Sequence, residues 1–141
     1  MNLVKSSGVN MSTRTYATVS IYSSTGEALA PIKTHMATAP SRQSSKNGIF
    51  GLHYSTRDEL SSSRVEDHLE KLMLDLHNLP GFVGEYGSKD LGSAAFEVRL
   101  WIYFESARDN EDFSLPSGMI NWLQSVGGDV CVDVWRGNAQ Q

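Results

Sequence analysis

Four histidines, His35, His53, His68 and His77, and a single cysteine, Cys131, are the groups in this chain best suited to chemistry. A zinc hydrolase would set two imidazoles one helical turn apart around a glutamate, as in HExxH. None of the four histidines has that spacing. His68 borders an apolar stripe, which suits a partly buried structural histidine. One cysteine cannot form an intramolecular disulfide or a Cys-based zinc site. As a nucleophile Cys131 would need a nearby base, and its strand neighbours Asp129 and Asp133 would instead repel a thiolate. Asp129, Asp133 and Glu97 form a candidate carboxylate cluster, with Arg99 placed to pair with them; solvated or paired acids are the plainer reading. Arg42, Lys46 and Gly48 sit in a Ser/Asn-rich segment with a superficial likeness to an anion-binding loop, but the GxxxxGK[ST] pattern is absent. No catalytic residue, metal or cofactor is expected.

The better lead is a surface. From Ala95 to Phe104 the residues alternate. Phe96, Val98, Leu100, Ile102 and Phe104 fall on one face, and Glu97, Arg99, Trp101 and Tyr103 on the other. This is the pattern of a strand with one face in the core. An earlier strand repeats it, with Ala17, Val19 and Ile21 against Tyr16, Thr18, Ser20 and Tyr22. A third runs from Ile49 to Ser55, and a last one sets Val130, Val132 and Val134 against Cys131, Asp133 and Trp135. If these strands pair, Tyr16, Tyr22, His53, Trp101, Tyr103 and Trp135 share one sheet face with Glu97, Arg99 and Asp133. Aromatics and arginine are enriched where proteins bind proteins. That face is therefore expected either to form a homodimer contact or to receive a partner, unless a helix or loop covers it.

Helices must hold this sheet. Pro31 is read as opening a short helix through Ile32 and Met36, since proline is tolerated in a first turn. Ser41 to Gly48 reads as a polar loop. Ser63 and Glu66 read as a capping box before the stripe Val65, Leu69, Leu72, Met73 and Leu76, with Pro80-Gly81 as the stop. Phe82 to Gly92 is glycine-rich and has room for a short strand or hairpin arm. Leu115-Pro116 opens a last helix with Met119, Ile120, Leu123 and Val126 inward, ended by Gly127-Gly128. Each half then runs strand, loop, helix, strand. This suggests an α+β fold of ferredoxin-like type, with duplicated βαβ units, a mainly antiparallel sheet and helices on one face. The expected boundaries are a flexible arm over 1–14, a single domain over 15–137 and a tail over 138–141.

The totals narrow the function classes. With 141 residues, 40% of them apolar, the chain can build one core without staples. A net charge of −4 argues against a nucleic-acid partner, which calls for a basic footprint. No stretch reaches the ~20 apolar residues of a membrane span, and Met1 to Thr15 lacks the apolar core of a signal peptide. A cytoplasmic protein with no membrane association is expected.

Several landmarks together resemble a bacterial family, domain of unknown function 4279. They are Ala39-Pro40-Ser41 with Gly48 soon after, the run from Val65 to Leu72, Trp101-Ile102-Tyr103, Phe113-Ser114-Leu115-Pro116, and Val132-Asp133-Val134-Trp135. The resemblance covers about Tyr16 to Trp135. This chain has His53 or Tyr54 where the family commonly has Trp, and Asp133-Val134-Trp135 where it often has Asp-x-Tyr. The resemblance implies a small α+β domain and supplies no catalytic residues.

The leading expectation is a non-catalytic protein-binding domain, in concrete form an immunity protein that neutralises a basic bacterial toxin. Opposite fields speed encounter and reject wrong partners. Glu85 and Asp90 in one loop, and Asp109, Glu111 and Asp112 in another, would supply the acidic contacts beside Trp101, Tyr103 and Trp135. The alternative is a small-molecule-binding domain or small enzyme with a pocket near His53, His68 and Arg42. A deep pocket holding a His and an Arg would favour the alternative.

Overall fold

Alternating sequences make the centre of the sheet, and a computed structural model of the chain, which describes residues 15–82, 96–105 and 113–135, shows how they assemble. The side chains of Glu105 and Trp135 lie outside that description. The order is β1 (Tyr16–Ser23), α1 (Gly26–His35), β2 (Arg42–Lys46), β3 (Ile49–Ser55), α2 (Val65–Asp75), α3 (Leu79–Phe82), β4 (Glu97–Glu105), α4 (Met119–Val126) and β5 (Asp129–Trp135). The five strands form one sheet in the order β2-β3-β1-β4-β5. All neighbours are antiparallel except β4 and β5, which are parallel. The fold is thus α+β with a mostly antiparallel mixed sheet. β4-α4-β5 is a parallel βαβ unit. In the first half, by contrast, β3 lies beside β1, and it runs antiparallel.

One face of the sheet carries the core. Val19, Ile21, Leu52, Leu100 and Ile102 pack with Leu29 and Ile32 of α1, Val65, Leu69 and Leu72 of α2, and Met119, Leu123 and Val126 of α4. Removing this apolar surface from water is the main stabilising term. Trp122 closes the layer: its indole Nε1 donates to the Leu76 carbonyl at 3.1 Å, satisfying an acceptor at the C-terminal end of α2. Among the described residues no helix is long and apolar enough to cross a membrane.

Several local expectations need correction. The segment read as a polar loop contains a strand, β2, joined to β3 by Asn47 (φ 54) and Gly48 (φ 80). Lys46 pairs with Ile49 across this two-residue turn, the left-handed geometry that Asn-Gly favours. Pro31 lies inside α1, whose N-cap is Thr25; the Thr25 hydroxyl accepts from Ala28 N at 3.3 Å. The Ser63/Glu66 capping box is not formed. Arg64 is the N-cap, and Glu66 Oε2 instead accepts from the distant Ser114 N at 3.2 Å. α2 ends at Asp75, and Pro80-Gly81 lies inside α3. In α4, Trp122 is buried while Ile120 is 58% exposed. Gly127, at φ 64, does end that helix. The expected arm over 1–14, the tail over 138–141 and the stretch after Phe82 lie outside the described residues.

Candidate functional site

Strand register decides what the other face of the sheet presents. Arg42 pairs with His53, His53 with Ser20, Ser20 with Arg99 and Arg99 with Asp129, so five strands contribute one transverse row. The next row sets Ser55, Thr18, Trp101 and Cys131 side by side, and beyond it Tyr16, Tyr103 and Asp133 align. With period-two alternation, all these residues lie opposite the helix layer. A groove of about 670 Å³ opens on this face. Its floor holds Thr18, Ser20, Ser55 and His53; Tyr16, Tyr22, Trp101 and Tyr103 supply aromatic walls. Ser41, Arg42 and the loop residues Arg57, Asp58 and Glu59 form the rim.

The aromatic wall is a ladder with a cation at each end. Tyr16 and Tyr103 are direct cross-strand partners, and their rings stack with centroids 4.5 Å apart and planes 23° from parallel. Trp101 continues the row, 6.3 Å from Tyr103 at 11°. The Arg57 guanidinium lies 5.1 Å from the Tyr16 ring centroid, and that of Arg99 lies 5.9 Å from Trp101. Both distances suit cation–π attraction. Burial, and secondarily the neighbouring Tyr16, raise the Tyr103 phenol above its ordinary pKa. Trp101 Nε1 is buried and has no acceptor among the described residues.

The floor is set by His53, only 5% exposed. Its Nδ1 lies 2.7 Å from Ser20 Oγ and its Nε2 2.9 Å from Ser44 Oγ. Burial, then the charge of Arg42, hold its pKa below the usual histidine value. Within the groove, among the described residues, this is the nearest approach to nucleophile–base geometry. A serine hydroxyl stands where catalytic triads place a carboxylate, so an imidazolium would gain no counter-charge.

The cations differ in their pairing. Arg99 Nε and Nη2 both donate to Glu97 Oε2, at 3.1 and 2.8 Å. Lys71 engages Glu59 at 3.4 Å and Asp75 at 3.0 Å. The Arg42 and Arg57 guanidinium groups have no carboxylate partner among the described residues.

Trp101 and Tyr103 thus lie together on the open face, as their spacing implies. Glu85, Asp90, Asp109, Glu111 and Asp112 lie outside the described residues, as does the Trp135 side chain. The pocket expected near His53, His68 and Arg42 is corrected in one member. His68 is fully buried on the helix side, where Nε2 donates to the Ser62 carbonyl at 2.7 Å and the Thr56 hydroxyl donates to Nδ1 at 2.6 Å. The candidate carboxylate cluster does not gather, since Asp129 and Asp133 align with Arg99 and Tyr103 and Glu97 is held by Arg99. Among the described residues no three histidine, cysteine, aspartate or glutamate side chains are placed to hold a metal ion. The sequence reading missed Arg57 and Ser44. An Asn-Gly turn at 47–48 would have placed Ser44 opposite Gly51 and Arg42 opposite His53. No protein-family model matches this chain, no curated protein matches it in sequence, and no solved structure matches it.

Proposed function

We propose that this chain is a non-catalytic binding domain that takes a small ligand in the groove on the open face of its sheet. The observation that carries the reading is one groove uniting stacked aromatic rings, a hydroxyl floor and two arginines without described carboxylate partners. Its volume, about 670 Å³, lies within the common range for small-molecule sites. The non-catalytic part rests on His53: both ring nitrogens are engaged by serine hydroxyls, and its lowered pKa makes it a weak base. A fragment titration followed by backbone amide shifts tests the proposal. Perturbations are expected at 16–22, 53–59 and 99–103. Binding fragments that shift only amides elsewhere would overturn it.

A protein partner is the second reading, favoured by the half-buried Tyr16–Tyr103–Trp101 ladder on the open face. In its concrete form the chain is a cytoplasmic immunity protein, and the acidic residues named above meet a basic toxin. Co-purification with the product of the adjacent gene, followed by a growth-protection assay, tests that form. Membership of the domain of unknown function 4279 family, and a ferredoxin-like duplication, are part of the same proposal. The order of the sequence landmarks supports the first, and the shared strand–helix–strand order of the halves supports the second.

A further inference from the structure

We infer that the ligand of the open-face groove is a flat organic monoanion, an aryl or heteroaryl carboxylate, whose ring lies against the Tyr16–Tyr103–Trp101 wall and whose carboxylate is held by Arg42 and Arg57. The inference rests on the ligand-binding reading and adds the chemical class.

Shape comes first. The wall rings are stacked with near-parallel planes, 23° and then 11° apart. Such a stack, capped by Arg57 and Arg99, presents ring edges to the groove, and the face of a planar ring packs on such edges in edge-to-face contact better than a branched aliphatic body does. The strand floor opposite is built of Thr18, Ser20 and Ser55, which are small and leave depth.

Charge comes second. The chain as a whole is acidic, at −4, yet the groove is not. Of its rim charges, Glu59 is already engaged by Lys71. Arg42 and Arg57 face Asp58 and Glu59 on the rim, and neither guanidinium is paired with a carboxylate among the described residues. Two unpaired guanidinium groups suit one carboxylate, and the two rim carboxylates disfavour a polyphosphate. Guanidinium groups match a carboxylate geometrically, because their planar forks donate two parallel hydrogen bonds. The Arg57 guanidinium is held over the Tyr16 ring, so it is oriented before a ligand arrives, and preorganisation reduces the ordering cost of binding.

Three probes with one ring system separate the terms: 2-naphthoate, the neutral 2-naphthamide and the cationic 2-naphthylmethylamine. Each is titrated into the full-length chain by calorimetry and by amide shifts. Naphthoate is expected to bind about tenfold or more tightly than naphthamide, the ratio for one charge-assisted contact. Arg42→Gln and Arg57→Gln, both at exposed positions, should each reduce naphthoate affinity by a similar factor and reduce naphthamide affinity by less, so that the naphthoate-to-naphthamide ratio falls. Equal binding of naphthoate and naphthamide, or tighter binding of the amine, would overturn the anion inference while the groove reading stands. No binding by any probe, with no shift at the groove amides, would overturn both.

Discussion

Gly51 faces Ser44 across the β2–β3 ladder, and its missing side chain is what lets Ser44 Oγ reach His53 Nε2. A Cβ built on Gly51 would lie 2.7 Å from Ser44 Oγ, 3.0 Å from His53 Nε2 and 3.1 Å from Tyr22 Cδ1. Glycine inside a strand is usually a cost, since it packs nothing and loses more chain entropy than other residues. Here it opens the space in which a buried imidazole finds its second hydrogen bond.

Gly51→Ala should therefore destabilise the protein by about 1–3 kcal/mol, the range for overpacking a well-filled site. The clash is with a side chain that Ser44→Ala would remove, so the double variant should lose less than the two single losses added together. Urea midpoints of the four proteins measure this coupling. Strict additivity would show that the Gly51–Ser44–His53 contact has no energetic role.

Stability should fall as the pH drops below about 6.5, the ordinary histidine value. His53 and His68 both have pKa values lowered chiefly by burial. A lowered histidine pKa means that the unfolded chain binds the proton first. Above about 6.5 both states are neutral and the contribution is complete; below it the unfolded state gains protons and stability is lost until the folded pKa is passed. The slope can approach about 1.4 kcal/mol per pH unit for each histidine. Urea midpoints at pH 7.5 and 5.5 test this, in a window above most carboxylate titration. His68→Gln should flatten the dependence, and an unchanged slope in that variant would remove His68 from the account.

The sequence conveyed the sheet better than its edges, for a physical reason. In β1 and β4 one face is buried and the other is not, so burial writes a period of two into the residue types. Val19, Ile21, Leu100 and Ile102 could be placed on the core side from spacing alone, and Trp101 and Tyr103 on the other. β2 carries no such code. Arg42-Gln43-Ser44-Ser45-Lys46 is an edge strand, mostly exposed, and its polar residues reflect that position. The readable signal was the Asn47-Gly48 turn. Ile120 was expected inward, but it is exposed, and Trp122, which the spacing left unassigned, is buried instead; the Leu76 carbonyl satisfies its indole N–H and allows burial. Arg57 joins the groove through the folding of a loop, which no periodicity records.

Tyr54→Phe should be neutral or stabilising. The Tyr54 side chain is 2% exposed, and its hydroxyl has no hydrogen-bond partner among the described residues. A buried donor left unpaired costs about 1–3 kcal/mol, and phenylalanine removes it at nearly the same shape. Burial also pushes the Tyr54 pKa up to about 12. The folded state therefore resists ionisation that the unfolded chain undergoes near pH 10. Stability from this group is complete below that pH and is lost as pH rises towards the folded value. Tyr54→Phe should reduce the alkaline loss of stability between pH 9.5 and 11. A clear destabilisation at pH 7 would point to a partner for the hydroxyl.

Substitutions on α2, α4 and β4 should divide by face. Leu72 and Leu100 are essentially buried in the core, so replacing either with Ala should cost about 2–5 kcal/mol through lost burial and the cavity left behind. Ile120 sits on α4 at 58% exposure, and Ile120→Ala should cost less than about 0.5 kcal/mol, in keeping with surface positions. Trp122 lies on the same helix, and Trp122→Phe keeps much of the ring volume while removing the Nε1 donor. The Leu76 carbonyl then loses its 3.1 Å side-chain partner, and a loss of about 1–3 kcal/mol is expected. Chemical denaturation of the four variants at pH 7 gives the ranking. If Ile120→Ala proved as costly as Leu72→Ala, the orientation of α4 against the sheet would have to be redrawn. If Trp122→Phe proved neutral, the indole would be a space-filling ring and the α2–α4 hydrogen bond would carry no net stability.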